Sequence, residues 1–320
     1  MGELGFDILT VAGEGPVDRV VDGLSIDDAQ KPSPVDVRRA LDGADLVVAE
    51  NICSLPLNLP ATETVTAVLA GRPTVLHHHD LPWQRERFGT LPELDRLPAD
   101  DRSWVHVTTT DLSARQLTRR RSLCATVVHN AFDVDAPVGS RDQARAAVGI
   151  APSERVLLQP TRALPRKNVP AGLALTEAVG ATYWLTGAAE EGYGPELERL
   201  LRNASTRTIH GNPGLGPADL YAAADAVALP STWEGFGNPA IESAIYMRPL
   251  AIGDYPVAEE LGAFGFQWFP ASDPSPLAHW FEDPDAQVLR VNHAVARRHF
   301  SLDRLRRQLR DLLAERGWLP

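Results

Sequence analysis

The chain has 320 residues, of which 44% are apolar and 23% charged, and its net charge is −11. This length predicts about two globular domains, and the negative charge excludes the broad basic face that nucleic-acid binding requires and disfavours wide contact with anionic lipid. No apolar run approaches the ~18 residues of a membrane span and no signal peptide opens the chain. The isolated cysteines Cys53 and Cys124 suit a reducing compartment, so we expect a cytoplasmic protein.

Short β-rich runs alternate with amphipathic stretches, which is typical of βαβ units around parallel sheets. The first half predicts strands at Asp7–Ala12, Asp45–Ala49, Thr74–His77, Val105–Thr108 and Thr126–His129, with helices at Pro34–Leu41, Ala61–Ala70 and Asp111–Arg120. The second half predicts strands at Arg155–Gln159, Thr182–Leu185, Thr208–His210, Ala226–Leu229, Pro249–Ile252 and Phe266–Phe269. Its helices are expected at Arg141–Val148, Pro170–Val179, Pro195–Asn203, Pro217–Ala224, Asn238–Tyr246, Pro256–Leu261 and near Leu302–Arg316. The polar, turn-rich segment Asp133–Ser140 is the predicted linker.

Three consecutive histidines, His77, His78 and His79, lie at the end of a predicted strand. Adjacent residues of an extended segment alternate faces, so one ion is not easily bound by all three. Zinc sites usually take spaced ligands with help from thiolates or carboxylates. We therefore predict no metal site.

The loop after these histidines carries Trp83, Arg85 and Arg87. An aromatic ring suits the apolar face of a sugar or a ring acceptor, and arginine suits an acidic acceptor. The alternative is that Trp83 packs beneath its own loop. We predict that these three residues contact an acceptor substrate, and they are the less well supported part of the predicted site.

A basic turn, Pro160–Asn168, follows the strand that ends at Gln159. Ligands of open α/β sheets bind at the carboxyl ends of the strands. Arg162 can clamp phosphate oxygens through its planar fork, and Lys167 adds a compact positive charge. A solvated basic turn is the alternative.

Two carboxylates eight positions apart, Glu234 and Glu242, lie in the segment Ser231–Glu242. Glu234 is expected in a glycine-bearing turn and Glu242 on the helix that this turn opens, with Asn238 as N-cap and Pro239 at the first helical position. Backbone N–H groups at such a helix start attract phosphate, and carboxylates accept hydrogen bonds from sugar hydroxyls. The segment therefore predicts a nucleotide-sugar site, with an ordinary βα turn bearing solvated acids as the alternative.

This segment resembles the Glu-x7-Glu signature of retaining glycosyltransferases of family 4, which have the GT-B fold of two Rossmann-like domains facing across a crevice. The resemblance implies that Glu234 contacts the hydroxyls of the donor sugar and that Glu242 holds the ribose. Arg162 and Lys167 are spaced like the family pair that neutralises the leaving diphosphate. The implied activity is transfer of a hexosyl unit from a nucleoside diphosphate sugar, with retention of configuration and without a cofactor or an obligatory metal.

Weaker matches to the same family supply the other predicted site residues. Counted from Pro73, His79 aligns with a histidine that lies beside the donor sugar and the reacting bond, which makes it a catalytic candidate and leaves His77 and His78 as structural. The implied donor-binding residues are completed by His210 near the base and by the turn and helix start at Ser231, Gly235, Phe236, Gly237 and Asn238.

One departure from the family concerns the amino terminus. Met1–Asp7 resembles the tail of the family's first helix, and the preceding strand and glycine loop have no counterpart. We expect either a native start upstream of Met1 or a reduced domain. Because that strand normally lies centrally, its loss predicts a gap that another strand of residues 1–133 fills, or a loosened domain that pairs with a second chain.

The expected organisation is an acceptor-side domain at residues 1–135, a donor-binding domain at 136–300, and a helix at 301–320 that packs back on the first domain. The expected partners are a nucleotide-sugar and a small-molecule or glycan acceptor, with no nucleic acid, no transmembrane segment and a possible homo-oligomer. Two other classes stay open: a GT-B epimerase or glycosyl phosphorylase, and a catalytically weak nucleotide-sugar-binding partner subunit.

Overall fold

The computed structural model describes residues 1–28, 30–85, 88–89 and 92–320. These residues form parallel sheets covered by helices, so the predicted α/β class is confirmed. They divide into two compact units, one made of residues 1–130 with 305–320 and the other of residues 131–304. None of the helices within the described ranges is both long and apolar enough to cross a membrane.

The first unit is built on a four-stranded parallel sheet whose strands pair in chain order. Its middle strands are almost completely buried, as expected for a parallel sheet covered on both faces. The sheet strands are β3 (Val47–Glu50), β4 (Thr74–His78), β5 (Trp104–Thr108) and β6 (Ala125–Val127), preceded by β1 (Val11–Ala12) and β2 (Arg19–Val20). The helices are α1 (Pro34–Ala40), α2 (Leu59–Leu69) and α3 (Asp111–Arg121), which begin after the capping side chains of Ser33, Asn58 and Thr110.

The amino-terminal strand differs from the prediction. Of Asp7–Ala12, only Val11–Ala12 forms a strand, and it pairs with Arg19–Val20 outside the four-stranded sheet. The expected central gap is wrong, because β3 to β6 are contiguous and β3 is the edge of the described sheet. A cavity of about 1150 Å³ lies beside that edge and is lined in part by residues 5–9, 44–50 and 317–320.

The last helix, α12 (Leu302–Glu315), belongs to the first unit from Leu305 onward. Gln308 Nε2 donates to the carbonyl of Val127 at 3.5 Å, and Arg306 forms an ion pair with Glu3. Its leucines pack into a cluster that joins helix, sheet and amino terminus, made of Leu305, Leu309, Leu312 and Leu313 with Val75, Val105, Val107, Val128, Met1, Leu4 and Phe6.

The second unit contains a six-stranded parallel sheet in the order β12-β11-β10-β7-β8-β9. The strands are β7 (Val156–Gln159), β8 (Thr182–Leu185), β9 (Thr208–His210), β10 (Ala226–Leu229), β11 (Leu250–Ile252) and β12 (Phe269–Pro270). The chain therefore runs outward from β7 to β9 and then returns to the other side of β7 at β10. Loops at the carboxyl ends of β7 and β10 diverge there, which is the usual place for a ligand in such sheets.

The helices of the second unit cover both faces of this sheet. They are α4 (Arg141–Ala147), α5 (Val169–Ala178), α6 (Gly194–Asn203), α7 (Pro217–Ala223), α8 (Asn238–Ile245), α9 (Pro256–Gly262), α10 (Ser275–Glu282) and α11 (Ala286–His299). The sequence does not predict α10 and α11, and it places the last strand at Phe266–Phe269 rather than Phe269–Pro270. The completely buried strands β7, β8 and β10 form the centre of the core.

Candidate functional site

Two loops leave the carboxyl ends of β7 and β10, which are neighbours in the sheet. The first contains the 3₁₀ turn Pro165–Lys167 and ends at Asn168, whose φ is 51° and whose side chain caps α5 by accepting from Ala171 N. The second runs from Pro230 to Gly237. The backbone N–H of Thr232 donates to the carbonyl of Arg166 at 2.9 Å, so the two loops are tied together.

A buried ion pair joins these loops. Lys167 Nζ lies 2.5 and 2.6 Å from the two carboxylate oxygens of Glu234, and the two side chains are only 10% and 7% exposed. The Ser231 hydroxyl donates to Glu234 Oε1 at 2.6 Å, and Arg166 Nη1 lies 3.4 Å from Oε2. Burial lowers the pKa of Lys167 below its ordinary value, although the Glu234 carboxylate favours the charged ammonium. Three of the predicted donor-site residues are therefore in direct contact.

Arg162 is not a member of this cluster. Its guanidinium is 56% exposed and donates to Glu190 Oε2 at 2.7 Å. Arg166, for which the sequence suggests only an assisting role with no clear counterpart in the family, is the arginine beside Glu234. The sequence analysis also missed the direct contact of Lys167 with Glu234, because the spacing of residues within one loop does not show which residues of another loop they contact.

The turn at Gly235, Phe236 and Gly237 sets the start of α8. Gly237 has a φ of 93°, which favours glycine, and it is the N-cap in place of Asn238. The predicted N-cap, Asn238, therefore lies one residue after the observed one. Asn238 is the first helical residue and Pro239 the second. Because Pro239 has no N–H and Ala240 N donates to the Gly237 carbonyl at 2.9 Å, this helix start offers a ligand fewer N–H groups than the sequence predicts.

The Phe236 side chain is part of the core rather than of a ligand surface. It is 5% exposed and its ring meets Phe300 edge-on, with ring centroids 6.0 Å apart. Gly235, by contrast, is only partly buried. The contribution of Phe236 to a site is therefore limited to its backbone.

Glu242 lies on α8, within the second turn. Its Oε2 accepts a hydrogen bond of 2.7 Å from the hydroxyl of Tyr221, a buried residue of α7. Burial raises the pKa of Glu242, although this hydrogen bond opposes the shift. The carboxyl group is therefore held in a fixed position at a partly buried site.

His210 is placed at the end of β9, the outer strand on the other side of β7. Its Nε2 lies 3.1 Å from the carbonyl oxygen of Gly187, and the residue is exposed. The position is an edge of the sheet, two strands away from the strand that leads into Lys167. Its predicted contact with a nucleotide base stays a prediction.

In the first unit, two of the three histidines share one face. Glu50 of β3 stands opposite His77 of β4 in the register of the sheet, and its Oε2 lies 2.8 Å from His77 Nδ1 and 2.7 Å from His79 Nε2. Burial alone would raise the pKa of Glu50, but hydrogen bonds from both histidines lower it to about 2. In the described parts of the chain, these three residues form a group whose possible metal-ligating atoms all lie within 4.8 Å of one another.

His78 faces the opposite side and is completely buried. Its Nδ1 contacts the Ser54 hydroxyl, and its Nε2 lies 2.9 Å from His106 Nδ1. His106 Nε2 lies in turn 3.1 Å from a carboxylate oxygen of Asp100. Burial lowers the pKa of His78 and of His106.

The sequence analysis did not identify Glu50 as a member of the histidine group. The only feature in the sequence that indicated it was its position at the end of the neighbouring strand, β3.

The loop after the histidines holds its predicted acceptor residues against α3 and against itself. Trp83 Nε1 donates to Gln116 at 2.9 Å, and the Arg120 guanidinium lies 5.2 Å from the Trp83 ring centroid. Arg85 forms an ion pair of 2.7 Å with Asp80. The third residue, Arg87, lies outside the described residues. The structure therefore favours a packing role for Trp83 in this state.

No protein-family model matches the chain. Among curated proteins, the chain is 27% identical over 329 residues to mannosylglucosylglycerate synthase of Thermotoga maritima, covering 84% of this chain and 76% of that protein. It is 30% identical over 151 residues to D-inositol 3-phosphate glycosyltransferase of Mycolicibacterium smegmatis, covering 43% of this chain and 35% of that protein. Among solved structures, Anabaena HepE in complex with UDP-glucose gives a TM-score of 0.69 at 21% identity, over 88% of this chain and 82% of that one. The sequence relatives are glycosyltransferases, and the fold of this chain is the GT-B fold of such enzymes.

Proposed function

We propose that the protein is a glycosyltransferase that moves a hexosyl unit from a nucleoside diphosphate sugar to a hydroxyl of a small-molecule or glycan acceptor, with retention of anomeric configuration. The observation that carries this proposal is the contact of Lys167, Ser231 and Glu234 at the ends of β7 and β10, where the strand order reverses. The named activities of the sequence relatives support the same class of reaction.

The ion pair suits a donor that has an anionic part and a polyol part. The ammonium of Lys167 can exchange the Glu234 carboxylate for a diphosphate oxygen, while Glu234 exchanges Lys167 for sugar hydroxyls. Each group then has a new partner on the ligand. The free-energy cost of separating the two charges inside the protein is therefore offset by their contacts with the ligand. Glu242, held by Tyr221, is our candidate for the ribose hydroxyls.

The proposed chemistry is electrostatic. Negative charge grows on the diphosphate as the glycosidic bond breaks, and the positive charge of Lys167, assisted by the exposed guanidinium of Arg162, stabilises it. The acceptor oxygen forms its bond to the anomeric carbon on the face that the diphosphate leaves, and the hydroxyl proton passes to the departing diphosphate oxygen. No protein nucleophile is needed. Because these side chains supply the positive charge, we propose that transfer needs no metal. His79 is our candidate beside the reacting bond.

Thermal stabilisation by a panel of nucleotide-sugars tests the donor assignment, because a ligand that binds only the folded state raises the Tm. We expect one base and sugar to stabilise the protein, and Lys167→Met to reduce the rise in Tm without abolishing it. The matched control is Arg199→Met, which removes an exposed arginine of α6 paired with Glu196. If the panel gives no stabilisation, the donor assignment is wrong.

Product analysis tests the reaction. With the stabilising donor and a set of acceptors, NMR of the product should show the donor's own anomeric configuration, with equal rates in the presence of a chelator. An inverted product would refute retention. Donor turnover without an acceptor product would indicate an epimerase or phosphorylase, and binding without turnover would indicate a partner subunit.

A further inference from the structure

Glu50, His77 and His79, which we call the His–Glu cluster, present three ligating atoms on one face at the carboxyl ends of β3 and β4. The sheet register places Glu50 directly opposite His77, and the alternation of faces brings His79 to the same side. The main chain beyond β4 is fixed by Asn51, whose Oδ1 accepts from the N–H groups of His79 and Asp80 at 3.1 and 3.2 Å. The three side chains thus converge from a rigid part of the fold.

We propose that the His–Glu cluster binds a divalent transition-metal ion of the Zn²⁺ and Co²⁺ class. Two imidazoles and one carboxylate are ligands that these ions prefer, and three protein ligands leave a position open to solvent. Neither the packing of the sheet nor the family resemblance requires two histidines and a glutamate to converge at this place.

The two distances from Glu50 to the histidines require only a small adjustment. Zn–N bonds of about 2.0–2.1 Å in a tetrahedron place neighbouring ligand atoms roughly 3.3 Å apart. Glu50 Oε2 lies 2.7 and 2.8 Å from the two histidine nitrogens, so each separation must widen by roughly 0.5 Å. The side chains of Glu50 and His79 are 57% and 41% exposed, which leaves them room to rotate.

The same contacts also suit a simpler arrangement, in which both histidines donate to one carboxylate oxygen and no ion is held. The two arrangements differ in what removing one member does. Loss of His77 from a metal site weakens binding of the ion, whereas a pair of hydrogen bonds gives no saturable ion binding at all.

The test is titration of the full chain, purified without a histidine tag, with Co²⁺ followed by calorimetry and by the visible absorption of the bound ion. We expect one Co²⁺ per chain, displaced by Zn²⁺, and at least about 10-fold weaker binding in His77→Ala and in Glu50→Ala. His279→Ala, an exposed histidine of α10, is the control and should bind like wild type. Glu50→Gln keeps the shape of the side chain and serves if Glu50→Ala fails to fold.

Absence of saturable one-to-one binding overturns the proposal, and so does binding that His77→Ala and Glu50→Gln leave within about two-fold of wild type. An equal loss in His279→Ala overturns it as well. A consequence that rests on the proposed function is that the ion occupies His79 Nε2 and so inhibits transfer. The binding titration does not depend on transfer, so a chain that binds Co²⁺ but shows no transferase activity even when the ion is withheld refutes the proposed function and supports the metal site.

Discussion

The contributions of Lys167 and Glu234 to the stability of the fold should depend strongly on each other. Both side chains are at most 10% exposed, and removal of one partner leaves a buried charge whose cost is about 3–5 kcal/mol. We expect Lys167→Met to destabilise the fold by an amount near the lower end of that range, since Ser231 and Arg166 still contact Glu234. We expect Glu234→Gln to destabilise it within the same range, because the Lys167 ammonium loses its carboxylate partner. The double variant Lys167→Met/Glu234→Gln removes both charges and should cost much less than the sum.

Urea denaturation followed by tryptophan fluorescence measures this double-mutant cycle, with a coupling energy of about 2 kcal/mol or more expected. The chain provides its own control in the pair of Arg162 with Glu190, whose side chains are 56% and 42% exposed. The corresponding cycle, Arg162→Met with Glu190→Gln, should give about 0–1 kcal/mol. Equal coupling energies in the two cycles, or additive effects at Lys167 and Glu234, would refute the conclusion that this pair is desolvated and mutually dependent.

Four further predictions follow from the same unit. Lys167→Met should lower kcat more than donor affinity, on the order of 10²-fold, because its charge matters most as the diphosphate leaves; steady-state kinetics showing only a raised KM would contradict this. In calorimetry with the bare nucleoside diphosphate, Glu242→Ala should weaken binding by roughly 10- to 150-fold, which is the affinity equivalent of one charged hydrogen bond. Glu234→Gln should not weaken this binding, because it frees the Lys167 ammonium to bind the diphosphate. Burial raises the folded pKa of Glu242 above the unfolded value, so its stabilising contribution is present below the unfolded pKa and is lost as pH rises through the folded pKa. The unfolding free energy of wild type relative to Glu242→Gln should therefore fall as pH rises above about 4, the ordinary pKa of a glutamate. A flat difference would be evidence against the raised pKa. Gly237→Ala should destabilise the fold by about 1–2 kcal/mol, because φ is 93° and the new Cβ would lie 3.1 Å from the Tyr255 hydroxyl; an unchanged denaturation midpoint would contradict that reasoning.

The sequence predicts most strands of the second unit because they are short, continuous apolar runs bounded by turn residues. Thr182–Leu185, Thr208–His210 and Ala226–Leu229 have the bounds observed in β8, β9 and β10. The helix α11 escapes prediction for a physical reason. Its buried face includes Asn292, which bonds the backbone of Gln267 at 2.7 and 2.8 Å, so a polar residue stands where an apolar one would mark the buried face.

The sequence identifies the two loops of the candidate site but not the contacts between them. Glycine, proline and carboxylate positions identify the loop after β10, and basic residues identify the loop after β7. The contact between Lys167 and Glu234 depends on β7 and β10 being neighbours, which requires the order of strands in the sheet. Likewise, the contact of Glu50 with His77 depends on the register of β3 against β4. Local periodicity does not specify which strands become neighbours, and it specifies register only weakly in a strand such as β4 that is buried on both faces.

Ser54, His78, His106 and Asp100 form a hydrogen-bonded series that runs from the interior to the surface, and the exposed end, Asp100, sets the donor–acceptor direction of every bond in it. An ionised carboxylate can only accept, so Asp100 requires a proton on His106 Nε2, which leaves His106 Nδ1 as the acceptor for His78 Nε2–H. His78 Nδ1 must then accept from the Ser54 hydroxyl. A side chain that is 53% exposed thereby selects a single tautomer for two buried rings. An amide in its place, as in Asp100→Asn, can donate or accept, and the interior would then have two orientations of equal connectivity rather than one.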